Sequence, residues 1–420
     1  MDRARAVRYR RANRGVTTQD TRGTMTVSTR FASLPEYAFP RLRTLLDAHA
    51  PGADPIVMTI GEPRHPMPAF VGPILAENLA GFSVYPPNDG TPELLAAIAG
   101  WLARRYGVAL DEDRLMVLNG TREGLFNACV ALCPETRAGR RPVVLMPNPL
   151  YQVYAVAALA MGAEPVYVPA TAATGFLPDF AALPAEVLDR TAIAYLCSPA
   201  NPQGAVAGRD YWADLLALSG RHGFRIFADE CYSEIWRDAP PPGVLEVAAA
   251  TAADPELVLT FHSLSKRSNL PGLRSGFVAG GRDAIARIRQ LRAYAGAPLP
   301  LPIQKVSEAA WRDEAHVAAS RALYHAKFAD AARVFAGMQG FALPEGGFFL
   351  WLPVPAPVSD GEEAALRLWR QTGVRVLPGA YLGRAVDGAN PGHGYIRVAL
   401  VAPQDECSRG LTRLRDCLYG

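Results

Sequence analysis

Leu257-Val-Leu-Thr-Phe-His262, then Ser263-Leu-Ser-Lys-Arg-Ser-Asn-Leu-Pro-Gly-Leu-Arg-Ser275, then Gly276-Phe-Val-Ala279 is the stretch on which the fold turns. Two short apolar runs enclose a loop of hydroxyls, cations and turn formers. Runs that are apolar on both faces belong in a sheet covered on both sides. The loop places Lys266 directly after a buried run, with Ser263 and Ser265 before it and Arg274 after it. Burial disfavours an ammonium, so a lysine in this setting carries a free amine near neutral pH and forms imines readily. Two hydroxyls and an Arg fork suit a phosphate monoester. A surface loop with solvated cations is the competing reading of the same residues.

The pattern continues upstream. Segments 115–118, 143–146, 165–168, 193–197 and 224–228 read as further strands, and 121–133, 151–161 and 211–221 as helices between them. That alternation predicts an α/β fold with a large, mainly parallel sheet flanked by helices. In such sheets ligands bind beyond the carboxyl ends of the strands. A Pro-rich stretch at 297–302 predicts a boundary. Beyond it a long helix at 306–335, a strand at 347–352, a helix at 362–371 and a strand at 395–400 predict a smaller α+β domain. The expected division is an extension at 1–30, an arm and the start of the small domain at 31–60, a large domain at 61–300 and a small domain at 301–420.

At 420 residues the chain exceeds one small core, and its formal charge of +3 comes largely from Arg3, Arg5, Arg8, Arg10, Arg11 and Arg14. Without that start the body is slightly acidic, which argues against nucleic acid or an anionic membrane as partner. The start lacks the apolar region of a secretory signal; a transit peptide, a basic RNA-binding arm, a disordered extension or initiation at Met25 all remain open. No apolar run reaches the length of a membrane span. The six cysteines are scattered, without the spacing of a zinc site, so reduced thiols in a cytoplasmic protein and no metal are expected.

Four more motifs carry chemistry. Asp229 and Tyr232 follow the run 224–228, where a carboxylate can keep an aromatic ring nitrogen protonated and a phenol can donate to a ring oxygen. Asn201, after the run 193–197, is placed to bond the same oxygen, although Asn-Pro is also an ordinary turn. Asn119-Gly120-Thr121-Arg122-Glu123 passes from strand into helix, where free backbone N–H groups bind anions; plain N-capping is the alternative. Arg397 lies in an apolar strand, and its fork matches an α-carboxylate. An imine-forming lysine, a phosphate site, a ring-nitrogen carboxylate and a carboxylate-binding Arg together point to pyridoxal 5'-phosphate (PLP) and an amino-acid substrate.

These residues, with Gly61-Glu-Pro, Tyr85, Gly90 and Pro147-Asn-Pro-Leu-Tyr151, resemble the class I/II aminotransferases of PLP fold type I from about residue 31 to 415. The resemblance implies a homodimer with shared active sites. It further implies that Tyr151 stacks on the cofactor ring, Tyr85 reaches the phosphate of the other subunit, Thr121 and Arg122 give backbone contacts, and Gly61 lines the substrate carboxylate. Within the class, strings at 60–70, 119–126, 262–274, 313–317 and 376–383 are similar to the succinyldiaminopimelate transaminases. That likeness implies N-succinyl-LL-2,6-diaminopimelate and 2-oxoglutarate as substrates. LL-diaminopimelate, aspartate and aromatic aminotransferases and carbon–sulfur lyases are alternatives on the same scaffold. A PLP-binding regulator would need a winged-helix-sized N-terminal domain, which roughly thirty residues cannot form. Distal carboxylates need basic or amide groups besides Arg397, and Arg64, Arg122 and Arg267 are the candidates. Gln203, the Tyr37-Ala-Phe39 segment and the Arg-rich start depart from the pattern.

Overall fold

The computed structural model describes residues 31–32 and 34–420, so the readings of the Arg-rich start fall outside the described residues. A short strand β1 (Ile56–Val57) comes first and pairs outside the main sheet. The seven strands β2 (Leu115–Leu118), β3 (Val143–Asn148), β4 (Glu164–Pro169), β5 (Thr191–Cys197), β6 (Arg225–Asp229), β7 (Val258–Ser263) and β8 (Gly276–Gly280) form one sheet in the order β2-β8-β7-β6-β5-β3-β4. β2, β3, β5, β7 and β8 are buried along their whole length, as their unbroken apolar runs require. Trp101, Trp212, Phe277 and Trp311 pack in the core on one face, and Tyr154, Tyr195, Phe261 and Val278 in that on the other.

Every pairing in the sheet is parallel except the two made by β8. This reversal decides where the chemistry goes. β2 and β7 end at the edge where β8 begins, with Leu118 and Ser263 both in register with Gly276. The loop from Ser263 to Ser275 therefore starts and finishes at one edge, beside the ends of β5 and β6. A Cβ on Gly276 would lie 2.5 Å from the His262 carbonyl oxygen, so the tight start of β8 requires glycine.

A second sheet contains β9 (Phe349–Pro353), β11 (Leu377–Pro378) and β12 (Tyr395–Ala399), antiparallel in the order β11-β12-β9, while β10 (Val374–Arg375) pairs in parallel with β1. The single helix expected at 306–335 is two helices, Leu301–Arg312 and Ala315–Val334. The break has a local cause: the Asp313 carboxylate accepts the His316 backbone N–H at 2.9 Å, which starts a new helix. Ala310 and Trp311 belong to the core of the large sheet, whereas Tyr324, Phe328 and Ala331 belong to that of the second. The change of core thus falls at Asp313-Glu314, beyond the Pro-rich stretch. Among the described residues no helix is long and apolar enough to cross a membrane.

Candidate active site

A cavity of about 560 Å³ opens at the edge where β8 begins, walled on its other side by β12 and the chain near Gly61. Lys266, Asp229, Tyr232, Asn201, Ser263 and Ser265 line it, as do Thr121, Arg122, Tyr151, Arg274, Arg397 and Gly61. Of the residues expected to hold the cofactor or the α-carboxylate, Gly120 and Tyr85 are not at its wall. Tyr85 is 98% exposed. Gly120 sits behind Arg274, where a Cβ would come within 2.5 Å of the guanidinium.

Asp229 ends β6 and is 3% exposed. One carboxylate oxygen accepts the Tyr154 hydroxyl at 2.7 Å, and Oδ1 has no partner among the described residues. Burial pushes its pKa up, opposed first by the hydrogen bond from Tyr154. An unpaired buried acceptor costs about 1–3 kcal/mol or more when charged. A protonated ring nitrogen in the cavity answers that deficit, which is the fit this carboxylate has for a pyridine cofactor. Tyr154 escaped sequence reading because it lies in an apolar helical run, Val153–Ala160, where an aromatic residue reads as core. It is core, stacked at 4.5 Å on Tyr195, but its hydroxyl does polar work.

Lys266 extends from the short helix Leu264–Arg267, which Ser263 caps by accepting the Ser265 N–H at 3.1 Å. Its Nζ donates to the Gly61 carbonyl and lies 5.4 Å from the Phe348 ring centre. Burial lowers its pKa from 10.5 to about 8. The neutral amine, the form that attacks an aldehyde, therefore accumulates as pH rises through that value. Cofactor-free enzyme should capture added PLP at a rate that climbs with pH and levels off above about 8. A stopped-flow absorbance series checks this, and a climb continuing toward 10.5 would reveal an ordinary lysine.

Around Lys266 the polar groups suit an anion. The Ser263 hydroxyl donates to Ser265 Oγ at 2.9 Å, and the helix Thr121–Leu132 presents its first N–H groups to the same edge. Arg274 is held by the carbonyls of Pro271 at 2.8 Å and Asn119 at 3.2 Å. Its backbone φ of +57° turns the chain sharply into β8.

Arg397, 4% exposed on β12, donates to Asn201 Oδ1 at 2.9 Å and to the Thr59 carbonyl at 2.7 Å, and lies over the Phe349 ring at 4.1 Å. It has no carboxylate partner among the described residues, and burial lowers its pKa to about 10. A buried guanidinium lacking an anion is a receptor for one. By occupying Oδ1, Arg397 leaves the Asn201 amide N–H₂ as a donor at the cavity wall.

The three arginines considered for a distal carboxylate separate cleanly. Arg64 pairs with Glu406 at 2.9 Å and does not line the cavity. Arg267 is buried against Trp101 and Trp311 and bonds Glu314 at 2.9 Å and the Ala310 carbonyl, which makes it a structural cation. Only Arg122 reaches the cavity, donating through Nε to the Tyr151 hydroxyl at 2.9 Å. Residues not foreseen at the wall include Tyr37, Phe39, Glu62, Gln152 and Leu382; the departure from family pattern at 37–39 was the available signal.

Comparison with known proteins agrees with this geometry. Residues 53–414 match the family model "Aminotransferase class I and II". An LL-diaminopimelate aminotransferase of Desulforudis audaxviator is 34% identical over 396 residues, covering 93% of this chain and 97% of that protein. The crystal structure of an aminotransferase from Neisseria meningitidis superposes with a TM-score of 0.88 at 37% identity, covering 93% of this chain and 99% of the other. A Thermus thermophilus structure, named a "probable N-succinyldiaminopimelate aminotransferase", gives a TM-score of 0.78 at 28% identity over 91% of this chain and 98% of its own.

Proposed function

This chain belongs to the class I and II aminotransferases, which work with pyridoxal 5'-phosphate, and from that premise we propose that it moves an amino group from N-succinyl-LL-2,6-diaminopimelate to 2-oxoglutarate. The observation that supports this substrate is the balance of charge on the cavity wall. Among the described residues, Lys266, Arg122, Arg274 and Arg397 face two carboxylates, Asp229 and Glu62. With Asp229 engaged by the ring nitrogen, Glu62 alone remains for a distal ammonium, whereas Arg122 is free to meet a distal carboxylate. Succinylation replaces the distal ammonium by a neutral amide ending in a carboxylate, and 2-oxoglutarate also carries a second carboxylate. Tyr37, Phe39 and Leu382 offer apolar surface to the methylene chain. LL-Diaminopimelate, the substrate in the name of the D. audaxviator relative, is the second reading, with Glu62 facing its distal ammonium.

Bound PLP supplies an electron sink for negative charge at the substrate α-carbon. The chain's own residues do the rest. Ser263, Ser265, Arg274 and the N–H groups at Thr121 and Arg122 would hold the phosphate, and Tyr151 would cover the ring. Asp229 would keep the ring nitrogen protonated, and Tyr232 and Asn201 would donate to the ring oxygen. Lys266 would hold the cofactor covalently, and its amine would serve as general base for the proton at the substrate Cα. Arg397 grips the α-carboxylate and so orients Cα–H toward Lys266, beside the Gly61 backbone. The same reading makes the enzyme a cytoplasmic homodimer. The exposed apolar side chains Leu79, Phe82 and Val84 run up to Tyr85, which would reach the second subunit's phosphate.

An amino-donor screen tests the proposal, with glutamate formed from 2-oxoglutarate as readout. N-Succinyl-LL-diaminopimelate should outperform LL-diaminopimelate and N-acetylornithine; a preference for unsubstituted LL-diaminopimelate overturns the succinyl reading. Release of ammonia and pyruvate without a keto acid would make the enzyme a lyase. Arg122→Ala should raise KM about 10- to 100-fold for the succinylated donor, the loss of one charge-assisted hydrogen bond, and leave a monocarboxylate donor unaffected.

A further inference from the structure

Among the described residues, Lys327 is the one buried amine that the chemistry above does not use. It lies on the helix Ala315–Val334, 2% exposed, and forms no ion pair among the described residues. Its Nζ contacts two neutral acceptors, His65 Nε2 at 2.6 Å and the Leu400 carbonyl at 3.1 Å. Burial holds His65 neutral, with a pKa near 4, so the imidazole can accept. Burying an ammonium with no counter-charge is costly, and a stability role alone does not explain its presence.

The partners explain it. Segment 58–65 runs along the end of β12 and is fastened at both of its ends. At the near end Ala399 N–H donates to the Met58 carbonyl at 2.8 Å, and Arg397 donates to Thr59. At the far end Arg64 N–H reaches the Val401 carbonyl at 3.3 Å, and Lys327 ties His65 to Leu400. The span between the footings carries Gly61, whose carbonyl accepts from Lys266, and Glu62, which lines the cavity. The Arg64–Glu406 pair also lies at the far end, but it is solvent-exposed and contributes little. An ammonium can donate to an imidazole and a carbonyl at once, which no apolar side chain of similar length can do.

We propose that Lys327 is a positioning residue: by clamping His65 to the end of β12 it fixes the arch 58–65, and with it the Gly61 carbonyl at the imine lysine and the wall against which the donor's carboxylate is oriented. Lys327 acts on substrate only through this arch and touches neither cofactor nor substrate. The idea needs aminotransferase membership and not the choice of donor.

Two readouts test it on the cofactor-loaded enzyme. In Lys327→Met, hydrogen–deuterium exchange of the amides at 60–65 should accelerate at least about tenfold, and the absorbance of bound cofactor should stay unchanged. With L-glutamate as donor, KM should rise about tenfold and kcat should stay within about twofold. His65→Phe cuts the same bond from its other side and should reproduce both effects. The double variant should be no worse than the worse single, since only one interaction is lost. Unchanged exchange in a loaded Lys327→Met enzyme, or in His65→Phe where the former does not load, overturns the proposal. So does a fall in kcat at constant KM. Failure of the wild-type enzyme to use glutamate would count against the acceptor assigned above, while exchange would still decide the role of Lys327.

Discussion

Lys266→Ala is expected to lose the visible absorbance of covalently held cofactor together with about 10⁴-fold or more of turnover. Loss of a positioned general base accounts for about 10²–10⁴-fold, and loss of the covalent attachment adds to it. The protein itself should fold. Lys266 Nζ has the Gly61 carbonyl and the face of Phe348 as its surroundings, and removing a poorly solvated amine relieves a desolvation cost. Spectroscopy and steady-state rates on the purified variant settle the matter: a folded Lys266→Ala enzyme that keeps either the imine band or its activity sinks the assignment.

The next largest effect is expected from Asp229→Ala, on the order of 10³-fold in kcat. The carboxylate is buried and its Oδ1 has no hydrogen-bond partner among the described residues, so its interaction with a ring nitrogen would be little screened by water. Its other oxygen is kept occupied by the neutral Tyr154 phenol, whose pKa burial raises further, so the support does not titrate in the neutral range. Without the carboxylate the ring nitrogen loses its reason to stay protonated. A rate within tenfold of wild type would remove the proposed role.

What could be read from sequence and what could not divide along one physical line. Asp229, Asn201, Lys266 and Arg274 were legible because each follows or precedes a buried strand, and a polar residue there faces the working edge of a mainly parallel sheet. The antiparallel insertion of β8 was not legible, since strand direction is set by pairing and not by the composition of the run. Arg64 and Arg267 looked like equals of Arg122 because all three flank motifs. What distinguishes them is a partner elsewhere in the chain, Glu406 for one and Glu314 with the Ala310 carbonyl for the other. The Lys327 clamp was invisible for the same reason: His65 and Leu400 are joined by a residue in a helix that reads as one continuous periodic segment. The break in that segment falls where Asp313 leaves helical geometry and its carboxylate accepts the His316 N–H.

The excursion between β7 and β8 has a consequence for how the site comes together. Lys266 and Arg274 are close in sequence as well as in space, whereas Arg397 meets Asn201 across a separation of 196 residues. By loop-closure scaling the distant contact costs roughly 3 kcal/mol more chain entropy to form. Lys266, Ser263, Ser265 and Arg274 are thus brought together by one local excursion of chain, whereas the grip on the amino acid exists only once both sheets have docked.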